Sequence, residues 1–505
     1  MIKTILRKPV QFTGNEDVVV IPLFEGRRDL KGPAKKLDVL CRSGISSYIK
    51  TTNFKPALGK TAIIGFTQSK APTHVMLLGM GKTSRLTPEI LTAAGGNASR
   101  TLKSRGFKSC HLLLDESFTG ESGVRNESLY SFFKGFALAH YTFSLKSGRA
   151  GVSGLRKVTV MSDDAGTVDA AIKKGKIIAE YAGFVHDLVN RPADDVTPAM
   201  MAEEARSLAT DHGLECRVMD LKQIEKLKMG AVLAVARGSR REPRFVSLHY
   251  NKGTAARNGV PKVCLVGKGV TFDSGGISIK PWQGMNEMKG DMAGAAVVMS
   301  VLGAAAKFEL PVEIIGLLPC VENMPDGIAI KPGDVITTYS GKTIEIISTD
   351  AEGRLILSDA LTYANEFKPD VIVDLATLTG AVIIALGTRI AGVLGNSQDE
   401  IDRLVAASRT TGESAWQLPI DDSFKEIIKG DISDYKNFSG RDGSTITAAA
   451  LLGEFVGSTP WVHVDIAGTF WAQNAKVPYQ SKGATGFGVD LMIAYLESLA
   501  AEKTK

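Results

Sequence analysis

Ser348-Thr349-Asp350-Ala351-Glu352-Gly353-Arg354-Leu355 sets two acids and an arginine between two apolar segments. Upstream, residues 343–347 are rich in β-branched side chains and read as a strand. Downstream, Ile356, Ala360, Ala364 and Phe367 recur every three or four residues and read as a helix. A strand that feeds a helix through a short charged turn puts those charges at the carboxyl edge of a sheet, where open α/β folds place their ligands. In an extended segment residues two apart face one way, so Asp350 and Glu352 can aim at one point. Taken alone, the stretch reads equally as a solvated turn with an acid at a helix N-terminus.

The 505 residues exceed what one ordinary core accommodates, so two domains or more are expected. Hydrophobic content of 44% with 23% charged residues describes a soluble globular protein. No segment reaches the unbroken apolar length of a membrane span. Residues 1–12, interrupted by Lys3, Arg7, Lys8 and Pro9, lack the apolar core and cleavage site of a signal peptide, which makes the cytoplasm the expected compartment. The five cysteines (Cys41, Cys110, Cys216, Cys264 and Cys320) are odd in number and far apart, against a disulfide framework or a thiolate zinc site. Cys264 and Cys320 sit in apolar runs as core thiols. Seven scattered histidines include no His-Glu-x-x-His helix, so a metal here needs oxygen ligands or something less common. A net charge of +6 is mild, and the basic pairs Arg27-Arg28, Lys35-Lys36 and Arg240-Arg241 carry no aromatic interleaving, so nucleic-acid binding is not indicated.

Residues 1–165 alternate strands (61–66, 74–78, 110–114, 156–161) with helices (88–105, 128–144), the pattern of an α/β layer domain. Gly81-Lys82-Thr83 looks like the end of a phosphate-binding loop, but Met76 stands where its first glycine belongs, leaving a strand-to-loop turn. A helical pattern over 167–189 stops at Asn190-Arg191-Pro192 and makes 166–192 a connector. In 193–505, apolar runs at 231–235, 245–249, 263–266, 312–318, 371–375 and 462–466 read as buried strands of a mixed or parallel sheet covered on both faces. The expected fold is therefore α/β in two domains, a smaller N-terminal one and a larger C-terminal catalytic one with a mixed central sheet.

Two further stretches join the first. Gly267-Lys268-Gly269-Val270-Thr271-Phe272-Asp273-Ser274-Gly275-Gly276 follows the run ending at Val266, and Lys280-Pro281 and Met288-Lys289-Gly290-Asp291-Met292-Ala293-Gly294 come after it. Asp273, Asp291, Asp350 and Glu352 then lie beside Lys268, Lys280 and Arg354. Carboxylates gathered at one sheet edge repel each other unless divalent cations compensate them. Two metal ions about 3.5–4 Å apart are a known solution for hydrolysis. The competing explanation is a salt-bridge network among the same side chains.

These stretches closely resemble the leucyl aminopeptidase family, the cytosolic dimetal aminopeptidases. The resemblance runs through 266–296, 341–364, Asp374-Leu375-Ala376-Thr377-Leu378-Thr379-Gly380-Ala381, Ile446-Thr447-Ala448-Ala449, His463-Val464-Asp465-Ile466-Ala467-Gly468-Thr469 and Gly483-Ala484-Thr485-Gly486-Phe487-Gly488. It implies that Lys268, Asp273, Asp291 and Glu352 hold a tighter metal. Asp273, Asp350 and Glu352 hold a more exchangeable one, Asp350 also through its backbone carbonyl. Zinc is the family default, with manganese, cobalt or magnesium also admitted by oxygen-rich sites. A lysine ligand has to be neutral, which nearby cations and burial favour. By the same resemblance a water acidified by both metals attacks the first peptide carbonyl, while the substrate's free α-amine ligates a metal. Lys280 stabilises the oxyanion, and Arg354 holds a bicarbonate that shuttles the proton.

Met288, Thr377, Gly380, Ala467 and Phe470 are implied as the pocket for the first side chain, mostly apolar and so suited to leucine- or methionine-like residues. The implied partners are peptides with a free amino terminus and five further copies of the chain in a homohexamer. Ser348 stands where the family commonly has asparagine, and a serine still hydrogen-bonds backbone or ligand there. Arg237 and Asp490 also fall where other residues are frequent. Lys289, beside the aspartate region, is expected in a salt bridge. Two other functions stay in play: a two-metal phosphoesterase, which wants histidines or several phosphate-gripping arginines, and a non-catalytic binding or regulatory protein, which would tolerate loss of a ligand or of Lys280.

Overall fold

The computed structural model describes residues 2–8, 12, 16–26, 29–67, 71–114, 118, 126–146, 154–475 and 477–502. Pro9 and the Arg27-Arg28 pair lie outside the described residues. The chain forms two compact units, one of residues 1–180 with 410–412 and 474–481, the other of residues 181–409, 413–473 and 482–505. The boundary between 180 and 181 falls inside the helix Ala165–Asn190.

The first unit is built on a six-stranded sheet in the order Lys3–Arg7, Lys157–Ser162, Ser109–Leu114, Val19–Leu23, His74–Gly79, Thr61–Gly65. All neighbours are parallel except the last pair. Successive side chains divide between two cores, as strand alternation requires. Val20, Met76, Leu112 and Val160 pack with the helices Pro88–Ser104 and Asn126–Leu138. Val19, Val75, Leu77 and Leu113 pack with Gly32–Leu40 and Gly44–Thr51. The two late segments belong here through specific bonds. The Arg100 guanidinium donates to the Gln480 carbonyl, and Lys134 Nζ donates to the Thr411 carbonyl at 3.0 Å.

The second unit's sheet is mixed. Its order is Ala415–Gln417, Ala391–Gly395, Trp461–Asp465, Val371–Ala376, Lys262–Gly267, Glu313–Asn323, Arg244–Tyr250, Glu215–Met219, with Gly269–Asp273 beside Glu313–Asn323. The four central strands, Trp461–Asp465 to Glu313–Asn323, are mutually parallel, so their carboxyl ends share one edge. Helix Ala293–Lys307 covers one face and Gly353–Ala364 the other. Gly316 faces Leu302 and Val298 of the first, while Ile315 and Leu317 join a core with Leu355, Ile356 and Ala360 of the second. The segment Met285–Lys307 is long and apolar enough to cross a membrane, yet 89% of its most apolar window is buried inside the unit. That is the signature of a core helix.

One expectation is overturned. Residues 231–235 are not a strand but lie in the helix Gly230–Ala236. A short run of Ala, Val and Leu carries no periodicity to separate the two structures. What fixes the helix comes from far along the chain. Asp359 Oδ2 accepts the Ala231 and Val232 N–H groups at 2.9 and 3.0 Å, and its Oδ1 accepts Tyr339 N–H at 2.7 Å. The buried carboxylate thus serves as a remote N-terminal cap. Among described strands, Lys3–Arg7, Val19–Leu23, Glu215–Met219 and Ala391–Gly395 also escape the sequence reading.

Burial pushes the Asp359 carboxyl up to about 7, against the pull of its three N–H donors. Folded chain therefore keeps this proton up to about pH 7, whereas unfolded chain releases it near pH 4, so stability falls as pH rises through that window. In urea titrations the wild type is expected to lose stability relative to Asp359→Asn between about pH 5 and about pH 8. Parallel pH profiles would remove the buried proton from the account.

Candidate metal centre

The site is assembled at the shared carboxyl edge of the central strands. Lys268 follows the strand Lys262–Gly267, Asp273 ends Gly269–Asp273, and Thr377 follows Val371–Ala376. The short 3₁₀ turn Met285–Gly290 delivers Asp291 just before the helix Ala293–Lys307. Asp350 and Glu352 come from the turn that enters Gly353–Ala364. Their convergence is real, but its origin differs from extended alternation: residues 349–350 form a turn, and Glu352 already has helical dihedrals, φ −77° and ψ −35°.

The structure brings Lys268, Asp273, Lys280, Asp291, Asp350 and Glu352 together at one edge, with Arg354 in the first turn of the adjoining helix. Carboxylate oxygens of Asp273, Asp350 and Glu352 lie within 4.8 Å of one another. Lys268 Nζ sits 2.9 Å from Asp291 Oδ2 and 2.8 Å from Glu352 Oε1, and it donates to the Thr377 carbonyl at 2.8 Å. Lys280 Nζ lies 2.8 Å from Asp273 Oδ2 and 2.5 Å from Asp350 Oδ1. Close approach is built into the backbone. A Cβ on Gly353 would lie 2.7 Å from Lys268 Cε, and one on Gly294 would lie 2.0 Å from the Leu375 carbonyl oxygen. Position 294 has to be glycine, and a side chain at 353 would displace the Lys268 ammonium.

Charge crowding shows in the proton equilibria. Burial first, then the neighbouring Glu352, pushes Asp273 up to about 6. Burial also raises Asp291 and Asp350. For Glu352 burial acts upward too, but Lys268 and Lys280 outweigh it and hold the group below its ordinary value. Burial lowers both lysines, and the carboxylates around them more than reverse that, leaving each ammonium above the usual lysine range. The protein's own charges thus favour a protonated Lys268, and only added cationic charge would free its lone pair for ligation.

The donor set fits a pair of divalent cations. Asp291 Oδ2 is buried and has no aligned hydrogen bond, its ion pair with Lys268 aside. Around the turn, the N–H groups of residues 347–351 each find an acceptor, and the carbonyls of Ser348, Thr349 and Ala351 accept side-chain amides. The carbonyl of Asp350, an exposed residue, accepts no hydrogen bond from a described residue. A buried oxygen such as Asp291 Oδ2 is seldom left so, and carboxylate oxygens are hard-cation ligands.

Arg354 is buried in the first turn of its helix. One terminal nitrogen donates to the Asn437 carbonyl at 2.9 Å, and Nε has no partner among described residues. Burial pushes the guanidinium down to about 10, so it remains charged at neutral pH. The implied pocket residues fall into two groups. Met288, Thr377 and Phe470 border the 290–291 segment, the Phe470 ring lying where a Gly290 Cβ would come within 2.6 Å of it. Gly380 opens the helix Gly380–Leu386, and Gly468, next to Ala467, lies against Ile383 and Gly387 toward that helix's far end. Thr377 has a second task, since its hydroxyl donates to Asp291 Oδ1 at 2.7 Å. Lys289 takes no carboxylate. It donates to the Asn190 carbonyl at 2.7 Å and lies 5.8 Å from the Trp471 ring centroid, in place of the expected salt bridge.

Three supporting groups were missed in the sequence. Asn323 Nδ2 donates to Asp273 Oδ1 at 2.8 Å and to the Thr349 carbonyl at 3.0 Å. Asn437 grips the turn from 86 to 90 residues away. Fully buried Asp374 receives His463 Nδ1 at 2.6 Å and the Trp461 indole N–H at 2.7 Å, which occupies the histidine of the 463–469 motif. Asp374 stands inside an apolar run, which is a signal for a buried acid, whereas nothing in the sequence around Asn437 marks it.

Comparison with known proteins agrees with this geometry. The profile of the cytosol aminopeptidase family, catalytic domain, matches residues 183–493, and that of the family's N-terminal domain matches 20–147. A probable cytosol aminopeptidase of Geobacter sp. (strain M21) is 45% identical over 481 residues, covering 95% of this chain and 96% of its own. That of Geobacter sulfurreducens is 41% identical over 467 residues, covering 92% of each. The solved structure of the bottromycin maturation enzyme BotP in complex with Mn superposes with a TM-score of 0.85 at 32% identity, covering 96% of this chain and 100% of that one.

Thr377→Val removes one hydroxyl from Asp291 and leaves the carbonyl that Lys268 uses. Divalent-cation affinity in a calorimetric titration is expected to fall about 10-fold, with the fold intact. Unchanged affinity would dismiss Thr377 as a support of the site.

Proposed function

This chain belongs to the cytosol aminopeptidase family, and on that premise we propose that it is a metal-dependent aminopeptidase releasing N-terminal residues, leucine and other apolar ones foremost, from peptides. The observation that carries this reading is the set of carboxylate oxygens of Asp273, Asp350 and Glu352 within 4.8 Å, flanked by Lys268 and Lys280. Lys268, Asp273, Asp291, Asp350 and Glu352 would hold two divalent cations, zinc or manganese, with cobalt or magnesium as further choices. Such a pair, when bound, acidifies a water and polarises a carbonyl.

The chain's own residues supply the rest. The anionic cluster favours a substrate that presents a cationic, unblocked α-amine. Lys280 remains an ammonium because Asp273, Glu352 and Asp350 more than offset the effect of burial, so it can meet the oxyanion that develops on the first peptide carbonyl. Arg354 keeps its charge in a buried place with Nε unengaged, which supports its holding a planar anion such as bicarbonate as proton carrier. Met288 and Phe470 offer apolar surface beside Asp291 for the first side chain.

Asp350→Ala and Glu352→Ala are each expected to abolish hydrolysis of an aminoacyl-naphthylamide while the chain stays folded, and Lys280→Met to lower kcat by about 10²–10³-fold. Dialysis against chelator should silence the wild type, with zinc, manganese or cobalt restoring it. Full activity in either alanine variant, or turnover that resists chelation, would refute the assignment.

We also propose a homohexamer as the working assembly. Light scattering should then return about six times the 53.9 kDa chain mass, and a monomer at working concentration would be incompatible with it.

A further inference from the structure

We propose that Asn437 is the positioning residue that holds the turn 347–351 in its ligating shape and aims Arg354. The idea rests on the dimetal reading above and goes beyond it, because Asn437 lies outside every ligand and catalytic assignment. Its side chain is fully buried. It follows the short strand Tyr435–Lys436, and its N–H donates to the Glu345 carbonyl at 3.0 Å, which fixes its backbone beside the strand leading into the turn.

From there its amide is used at both ends. Oδ1 accepts the N–H groups of Ile347 and Ser348 at 2.8 and 3.2 Å. Nδ2 donates to the carbonyls of Ser348 and Ala351 at 2.6 and 3.4 Å. Its own backbone carbonyl takes the Arg354 guanidinium at 2.9 Å. One residue therefore grips the turn on both sides of Asp350 and, in the same step, sets the direction of Arg354. Asn323 and Ser278 hold the intervening Thr349. Asp350 is thus held between secured neighbours, with its carboxylate on Lys280.

No other side chain does this. Aspartate keeps the acceptor but loses both donors and adds a negative charge near four carboxylates. Serine or alanine is too short to span the turn, and a buried carbonyl or N–H left without a partner is costly. The same geometry accounts for Ser348. Asn437 holds residue 348 by its backbone, while the Ser348 hydroxyl accepts only the Asp350 N–H at 3.3 Å. The position can therefore change its side chain without loosening the turn.

The test titrates manganese(II) chloride into chelator-stripped full-length protein, alongside steady-state kinetics and thermal unfolding. Wild type, Asn437→Ala, Asn437→Asp and, for comparison, Asn365→Ala are measured together. Asn365 likewise bonds at both ends, to the Leu361 carbonyl and Thr459 hydroxyl at 3.1 and 2.8 Å, but it touches nothing in the site. Both Asn437 variants are expected to bind one manganese equivalent about 10–100-fold more weakly and to lose kcat with KM nearly unchanged. Asn365→Ala should lower the unfolding temperature and leave manganese affinity and kcat in place. Folded Asn437 variants with wild-type manganese affinity and kcat would overturn the proposal. So would failure of both to fold, which would make the residue structural. Absence of manganese uptake by the wild type itself would instead fail the dimetal reading.

Discussion

More negative charge is gathered at one sheet edge than the lysines beside it can balance, and the rest of the second unit follows from that imbalance. Asp273, Asp291 and Glu352 are buried with Lys268, and Asp350 shares Lys280 with Asp273. Such a cluster persists only where its members are fixed too firmly to relax apart. The fixing is supplied by parallel strands ending together, by helices on both faces, and by Gly353 and Gly294, which let backbone approach Lys268 and the Leu375 carbonyl. The raised carboxyls of Asp273 and Asp291 express the same constraint in the language of protons.

The supports around this cluster are neutral. Asn323, Asn437 and Thr377 contribute amides and a hydroxyl to Asp273, to Asp291 and to the turn, with no further charge. A neutral donor orients a carboxylate without adding charge to the cluster, whereas an added lysine or acid would shift the balance of the site. Arg354 obeys the same economy of charge. It is anchored on a backbone carbonyl, so its guanidinium is not spent on a carboxylate.

What the sequence discloses and what it hides divide along physical lines. The central strands were legible because parallel strands covered on both faces are continuous apolar runs. The charged stretches were legible because acids and lysines between glycines at strand ends mark a site at the sheet edge. Residues 231–235 misled because Ala, Val and Leu in a short run suit helix and strand alike, and the deciding cap, Asp359, lies 128 residues away. Asp350 and Glu352 were placed correctly at one point through an incorrect geometry, a turn and a helical dihedral taking the place of extended alternation. Asn437 was silent because it bonds to backbone, which every residue carries, and no spacing marks such a partner.

The make-up of the first unit has a bearing on how the chain is synthesised and divided. Its packing includes Gln480 on Arg100 and Thr411 on Lys134. A ribosome that has released residues 1–180 has therefore released an unfinished body, whose last pieces come only with residues 474–481. Its completion waits for nearly the whole polypeptide. A cut inside Ala165–Asn190, where the sequence looks most like a linker, would separate the N-terminal fragment from its own finishing strap.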